Sequence, residues 1–205
     1  MKLIPVYLLF ALSLTTQAQL AFDDYFTDRT MRFDFMLAGN SVTTKVFPVS
    51  FREEPIWGGS LTNLTDKFNY GSFKYEVFDA ASGTLIYSRG FCTLYQEWQT
   101  TAEAREIERS FHEVATFPFP KNKVNFVLSI RGRDGKFSKL YETAIDPTSY
   151  FITREKPDAA LATRIYGTGD PHTSLDIAFI AEGYTRGEAE KFRADVKRLA
   201  DILFQ

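Results

Sequence analysis

The sequence predicts a mainly β protein: an antiparallel β-sandwich of jelly-roll or immunoglobulin-like kind, followed by the opening of an α/β unit. Three observations carry this. Aromatic residues make up 16% of the chain, with 20 Phe and 10 Tyr, and ring side chains favour a pleated, half-buried surface. Between Thr30 and Ile145 the apolar positions recur at period two in several short segments, the pattern of strands with one face in a core. Near the end that pattern gives way to an apolar run of strand length and then to an amphipathic helix.

Taken in order, the chain begins as an export signal. Lys2 supplies positive charge, Leu3 to Leu14 is apolar, and Thr16 and Ala18 place small side chains before a cleavage site after Ala18,. The apolar run is too short for a membrane span, which needs about 20 residues. Residues 1–18 are therefore read as a signal peptide, and the product as exported, in the periplasm or beyond. Residues 19–152 form the sandwich domain. Within it, Met31, Phe33, Phe35 and Leu37 share one face of a strand while Arg32 and Asp34 share the other. The segments 73–79 and 84–88 form a hairpin around Gly83, and 124–130 and 136–142 form a second one around Asp134-Gly135,. A brief helical interruption is expected over Thr101 to Arg109, and Ser110 to Phe119 reads as a strand.

Residues 153–173 lack sustained periodicity and read as a linker. From 174 onward, Leu175 to Ala181 is expected as a buried strand, and Thr185 with Glu188 forms a capping box that starts a helix near Arg186,. That helix carries Ala189, Phe192, Val196, Leu199 and Leu203 on one stripe.

Several function classes are excluded or left without support. A net charge of −2 provides no electrostatic footprint for nucleic acid, and no stretch after the signal could span a membrane as a helix. The single Cys92 has no partner for an internal disulfide, and with aromatic neighbours and no adjacent histidine it reads as a buried, inert thiol. His112-Glu-Val-Ala-Thr116 is half of a zinc motif, with threonine where the second ligand belongs; its spacing is strand-like, whereas ligands four apart share a face only on a helix. His172 sits in a loop where Asp170 could orient it. Gly167-Thr-Gly-Asp170 lacks the lysine and helix of a phosphate loop. Trp57 and Trp98 are candidate surface contacts for a sugar or peptide, with packing as the competing role. No catalytic or metal-binding residue emerges.

The run Glu54-Pro-Ile-Trp-Gly-Gly-Ser-Leu-Thr-Asn-Leu64, with Asn69-Tyr-Gly71, Leu85-Ile-Tyr-Ser-Arg-Gly90 and Glu97-Trp-Gln-Thr-Thr101, resembles the N-terminal domain of the IgA peptidase family, peptidase family M64. The resemblance spans about Phe22 to Ile152. Leu175 to Thr185 and the helix after it are similar to the start of that family's peptidase domain, so 174–205 is read as an incomplete zinc-peptidase unit. The resemblance implies a secreted zinc metallopeptidase whose zinc and general base sit on a His-Glu-x-x-His helix. This chain does not contain that motif. No cofactor is expected in the chain itself, zinc being expected in the full-length family protein. Glu182 occupies the carboxylate position of the family's acidic-Gly-Tyr turn and is read as a structural turn carboxylate. The expected partners are the protein's own C-terminal peptidase domain and a protein or peptide substrate. The expected role is that of an accessory domain that supports catalysis or presents substrate; the alternative is a free-standing exported sandwich that binds glycan or protein.

Overall fold

The computed structural model describes residues 20–156, 163–167 and 169–204. Residues 1–18, expected as a signal peptide, lie outside the described residues, as does part of the expected linker. Two four-stranded sheets face one another. One has the order β5-β1-β2-β8 and the other β4-β3-β6-β7. Their strands are β1 (Phe26–Gly39), β2 (Thr44–Glu54), β3 (Phe73–Asp79), β4 (Leu85–Phe91), β5 (Arg109–Pro120), β6 (Val124–Arg131), β7 (Phe137–Ile145) and β8 (Ile152–Arg154). All pairings are antiparallel except β8 on β2, which is parallel. The mainly β fold class and both hairpins are as the alternating pattern predicts.

The alternation works because successive side chains on a strand point to opposite faces. In β1, Phe33, Phe35 and Leu37 are fully buried between the sheets, while Arg32 and Met36 are only half-buried on the outer face. Phe33 stacks on Phe51 of β2 at 4.5 Å and meets Phe126 of β6 edge-on at 5.2 Å, so one ring joins both sheets. Each such ring contributes about 1.5–3 kcal/mol by burial. Tyr75 of β3 reaches across and donates its hydroxyl to Thr116 O of β5 at 2.6 Å. Burial pushes this phenol well above its usual range,.

Helix α1 (Phe22–Tyr25) is a single turn ahead of β1. The helical interruption falls earlier than the sequence predicts, as α2 (Leu94–Gln99), with a single 3-10 turn at Glu103–Arg105. Its start is fixed by Thr93, whose hydroxyl accepts Gln96 N–H at 3.2 Å,. Tyr95 and Trp98 then fall on its buried side.

The C-terminal segment departs from expectation in one respect. Leu175 to Ala181 forms no ladder with any described strand, and Leu175 and Ile180 are 87% and 86% exposed. A strand exists only by pairing its amides and carbonyls with a neighbour, and no described strand lies beside this one. The capping box does form: Thr185 N–H donates to Glu188 Oε2 at 2.9 Å and the threonine hydroxyl at 2.8 Å. A 3-10 turn (Arg186–Glu188) leads into α3 (Ala189–Leu203). Of its apolar positions, Val196 and Ala200 are buried, while Leu199, Ile202 and Leu203 remain largely in solvent.

Candidate functional site

The most elaborate polar architecture lies where the chain leaves the sandwich. Along β2, Phe51 faces the core, so alternation turns Arg52 and Glu54 outward and Glu53 inward. Glu53 is buried, at 3% exposure, and its two oxygens are taken by Arg29 of β1 and Arg154 of β8. Both guanidiniums stay more than half exposed, so only the carboxylate bears a large desolvation cost, which two charged donors offset. Glu53 O also accepts Glu155 N–H at 2.9 Å. One residue therefore holds β8 by backbone and side chain together.

On the outer face of the same sheet, a second buried carboxylate extends the network. Asp34 Oδ1 accepts Arg32 Nη2 at 2.8 Å and lies 3.1 Å from His112 Nε2. Its Oδ2 accepts the Ser50 hydroxyl at 3.2 Å and lies 3.3 Å from Arg52 Nε. Arg52 continues to Glu155 at 2.9 Å and Arg32 to Glu54 at 3.3 Å. Burial alone would raise the Asp34 carboxyl, but Arg32, Ser50 and Arg52 hold it below the usual carboxylate range,. A carboxylate with this many donors is no free base. The cluster ties β5, β1, β2 and the residue after β8 into one rigid face.

A second strap lies at the end of the linker. His172 is mostly covered, at 18% side-chain exposure. Its Nδ1 lies 3.0 Å from Gly59 O in the β2–β3 loop, and its Nε2 lies 3.8 Å from Asp28 Oδ1. Asp170 accepts the backbone amide of His172 at 2.9 Å and does not orient the ring. Further on, Tyr184 donates its hydroxyl to Asp195 Oδ2 at 3.0 Å and packs on Phe192. Tyr166 stacks on Phe204 at 4.8 Å.

The other residues singled out from the sequence are placed as follows. Trp57 and Trp98 are buried, at 6% and 8% exposure, and do not serve as surface contacts. Trp57 meets Tyr87 edge-on and donates to Ser60 O at 3.3 Å; Trp98 donates to Glu103 Oε2 at 2.7 Å. A large ring beside a strand edge gains more from packing than from solvent, and each indole N–H finds an internal acceptor. Cys92 is exposed rather than buried, because it lies past the end of β4, where the inward alternation has lapsed. Glu182 is exposed, and the carboxylate that accepts the amide at the helix start is Glu188. His112 lies on β5 with its Nε2 on Asp34, and Thr116 follows on the same strand. Among the described residues no three His, Cys, Asp or Glu side chains converge as metal ligands. The zinc implied by the family resemblance thus finds no ligand set among the described residues.

Residues 21–142 match the family model described as Peptidase M64 N-terminus, more than half of the chain. The chain belongs to that family. The matched span ends inside β7, short of β8, the linker and α3. None of the curated proteins matches the chain. No helix among the described residues is long and apolar enough to cross a membrane.

Sequence reasoning missed Glu53, Arg154 and Asp34. The signal for Glu53 was present in Phe51-Arg-Glu-Glu54: with Phe51 inward, alternation forces the first glutamate inward too. Such a carboxylate demands cations. Which cations supply it depends on β8, too short to be seen as a strand.

Proposed function

We propose that this chain is the N-terminal accessory region of an exported zinc metallopeptidase, and that the sandwich carries and steadies a peptidase domain opened by residues 174–205. The observation that supports it most is the double fastening of the linker. Beyond the matched residues the chain returns to β2 as β8, held by Glu53 and Arg52, and His172 then meets Gly59 of the sandwich. A flexible tether would need neither. In this reading α3 and residues 175–181 are the first layer of the peptidase domain. Their exposed Leu175, Ile180, Ile202 and Leu203 are the surface on which the rest of that domain packs,.

The zinc ligands, the general base and the substrate cleft then belong to the peptidase domain, and the sandwich contributes position and not chemistry. The alternative of a free-standing binding module working through Trp57 and Trp98 loses its rings to the core. The test is to read the encoding locus past codon 205 in frame, then to express the complete product and measure bound zinc and chelator-sensitive proteolysis. The expected result is a His-Glu-x-x-His motif in frame and one zinc per chain. A stop directly after codon 205 would overturn the reading.

A further inference from the structure

The tryptophans are buried, yet the sandwich exposes another pair of rings. Phe68 and Tyr70, in the loop between β2 and β3, stack at 5.7 Å with an interplanar angle of 17°. Each is 74% exposed. Two rings bare to solvent on a loop would ordinarily fold onto the nearest apolar surface, because that removes apolar area from water. Here the backbone beneath them prevents it. Asn69, between the rings, is held at φ 54°, in the left-handed region that costs a non-glycine residue energy, and Gly71 follows at φ 91°,. A Cβ on Gly71 would lie 2.6 Å from Phe91 N, and one on Gly90 would run into Tyr70 O, so loop and strand β4 touch backbone to backbone.

Side chains complete the frame. Arg131 of β6 donates Nε to Gly71 O at 2.8 Å and Nη2 to Asn69 O, while its guanidinium lies 4.1 Å from the centre of the Phe137 ring. Asp66 N–H donates to Ser88 Oγ at 2.8 Å, Phe68 N–H donates to Asp66 Oδ1 at 2.9 Å, and Ser72 N–H donates to Phe91 O at 3.1 Å. The segment is thus fastened on both sides of the two rings, and what the fastening presents is the rings themselves. Asp66 Oδ2 is shielded from solvent with no donor among the described residues, an acceptor left over beside the platform.

We propose that Phe68 and Tyr70 form a preorganised platform for a neutral glycan. The faces of aromatic rings are negative and attract the C–H hydrogens on the flat side of a pyranose ring. Asn69 and Lys67, both exposed, flank the rings with donors and acceptors for hydroxyl groups. Each ring keeps most of its surface open to solvent, so ring area remains for a sugar to cover. A fixed platform loses little conformational freedom on binding, which matters most for a ligand making few contacts. The chain's charge of −2 offers nothing to an anionic polymer, which favours neutral polysaccharide.

The test is affinity electrophoresis of the full chain through native gels containing mannan, xylan, laminarin or, as a protein control, gelatin. The expected result is retardation by at least one of the three polysaccharides, weakened about ten-fold or more in Phe68→Ala/Tyr70→Ala. Because both rings are exposed, the thermal midpoint of that variant should stay within about 2 °C of the parent. Tyr70→Trp, which keeps an aromatic face, should retain binding even if the double variant folds poorly. No retardation by any of the three polysaccharides, or retardation that Phe68→Ala/Tyr70→Ala and Tyr70→Ser leave unchanged, would overturn the proposal. Retardation by gelatin alone would overturn it in favour of a peptide site.

Discussion

Phe33 in β1 has no exposed surface, enclosed by Phe51 and Phe126, whereas Leu203 at the end of α3 is 63% exposed. The two residues stand for the two regions that carry them. Residues 20–156 bury apolar side chains from both sheets in one continuous core. The C-terminal segment buries Val196 and Ala200 and leaves Leu175, Ile177, Ile180, Leu199 and Ile202 mostly or partly in water. Hydrophobic stabilisation scales with area removed from water, so the sandwich has the burial to account for its own stability and the C-terminal segment has far less. The difference teaches that the sandwich is held by one shared core, while the segment after the linker is ordered locally by its capping box and by Tyr184 on Asp195.

Substitutions can break that comparison. The largest effect is expected for Phe33→Ala, which removes a ring shared by both sheets and should cost about 3–5 kcal/mol in urea unfolding. If the cost is under about 1 kcal/mol, the sheets are not joined as described. Next comes Glu53→Ala. It leaves Arg29 and Arg154 without their shared partner, and because both are half exposed the loss should be about 2 kcal/mol. It should also free β8, seen as faster exchange of the Glu155 amide, with β3 and β6 still protected.

Acid should loosen the sandwich in a defined window. The folded-state pKa of Asp34 is lowered, and that of Asp146 falls to about 2 beside Thr148 and Lys123. A depressed carboxyl contributes stability that is fully present above the unfolded value of about 3.9 and is lost as pH falls through the folded value. Thermal melts from about pH 5 down to about pH 2 should therefore show a falling midpoint. Asp34→Asn and Asp146→Asn should each flatten that fall; a slope unchanged in both would mean that the two carboxylates are not held as their contacts indicate. The smallest effect belongs to the other region: Leu203→Glu should move urea stability by no more than about 0.5 kcal/mol, while reducing self-association at high concentration.

The sequence made the sandwich legible because its signal is redundant. Met31, Phe33, Phe35 and Leu37 repeat one instruction, and Gly83 and Asp134-Gly135 mark where the chain turns. The polar network was harder to read because its members come from distant strands. Asp34 finds Ser50, Arg52 and His112 only once β2 and β5 flank β1, and no local pattern encodes that register. Glu53 could have been assigned inward from Phe51, but not matched to Arg154. Leu175 to Ala181 misled because apolar composition states that a segment wants to be covered, not that a neighbouring strand is present. The aromatic rings divided in a way local pattern does not reveal: Trp57 and Trp98 went to the core, and the smaller rings of Phe68 and Tyr70 were held out by the strained backbone at Asn69.

The contrast between the regions is most directly tested by amide hydrogen exchange across the full chain, read by mass spectrometry. Core amides of β1, β3 and β6 are predicted to exchange only through global unfolding, while residues 175–181 exchange at nearly the free rate and α3 opens locally at low free energy. Equal protection of residues 175–181 and of β1 would contradict the account, because it would make the C-terminal segment a member of the same cooperative core.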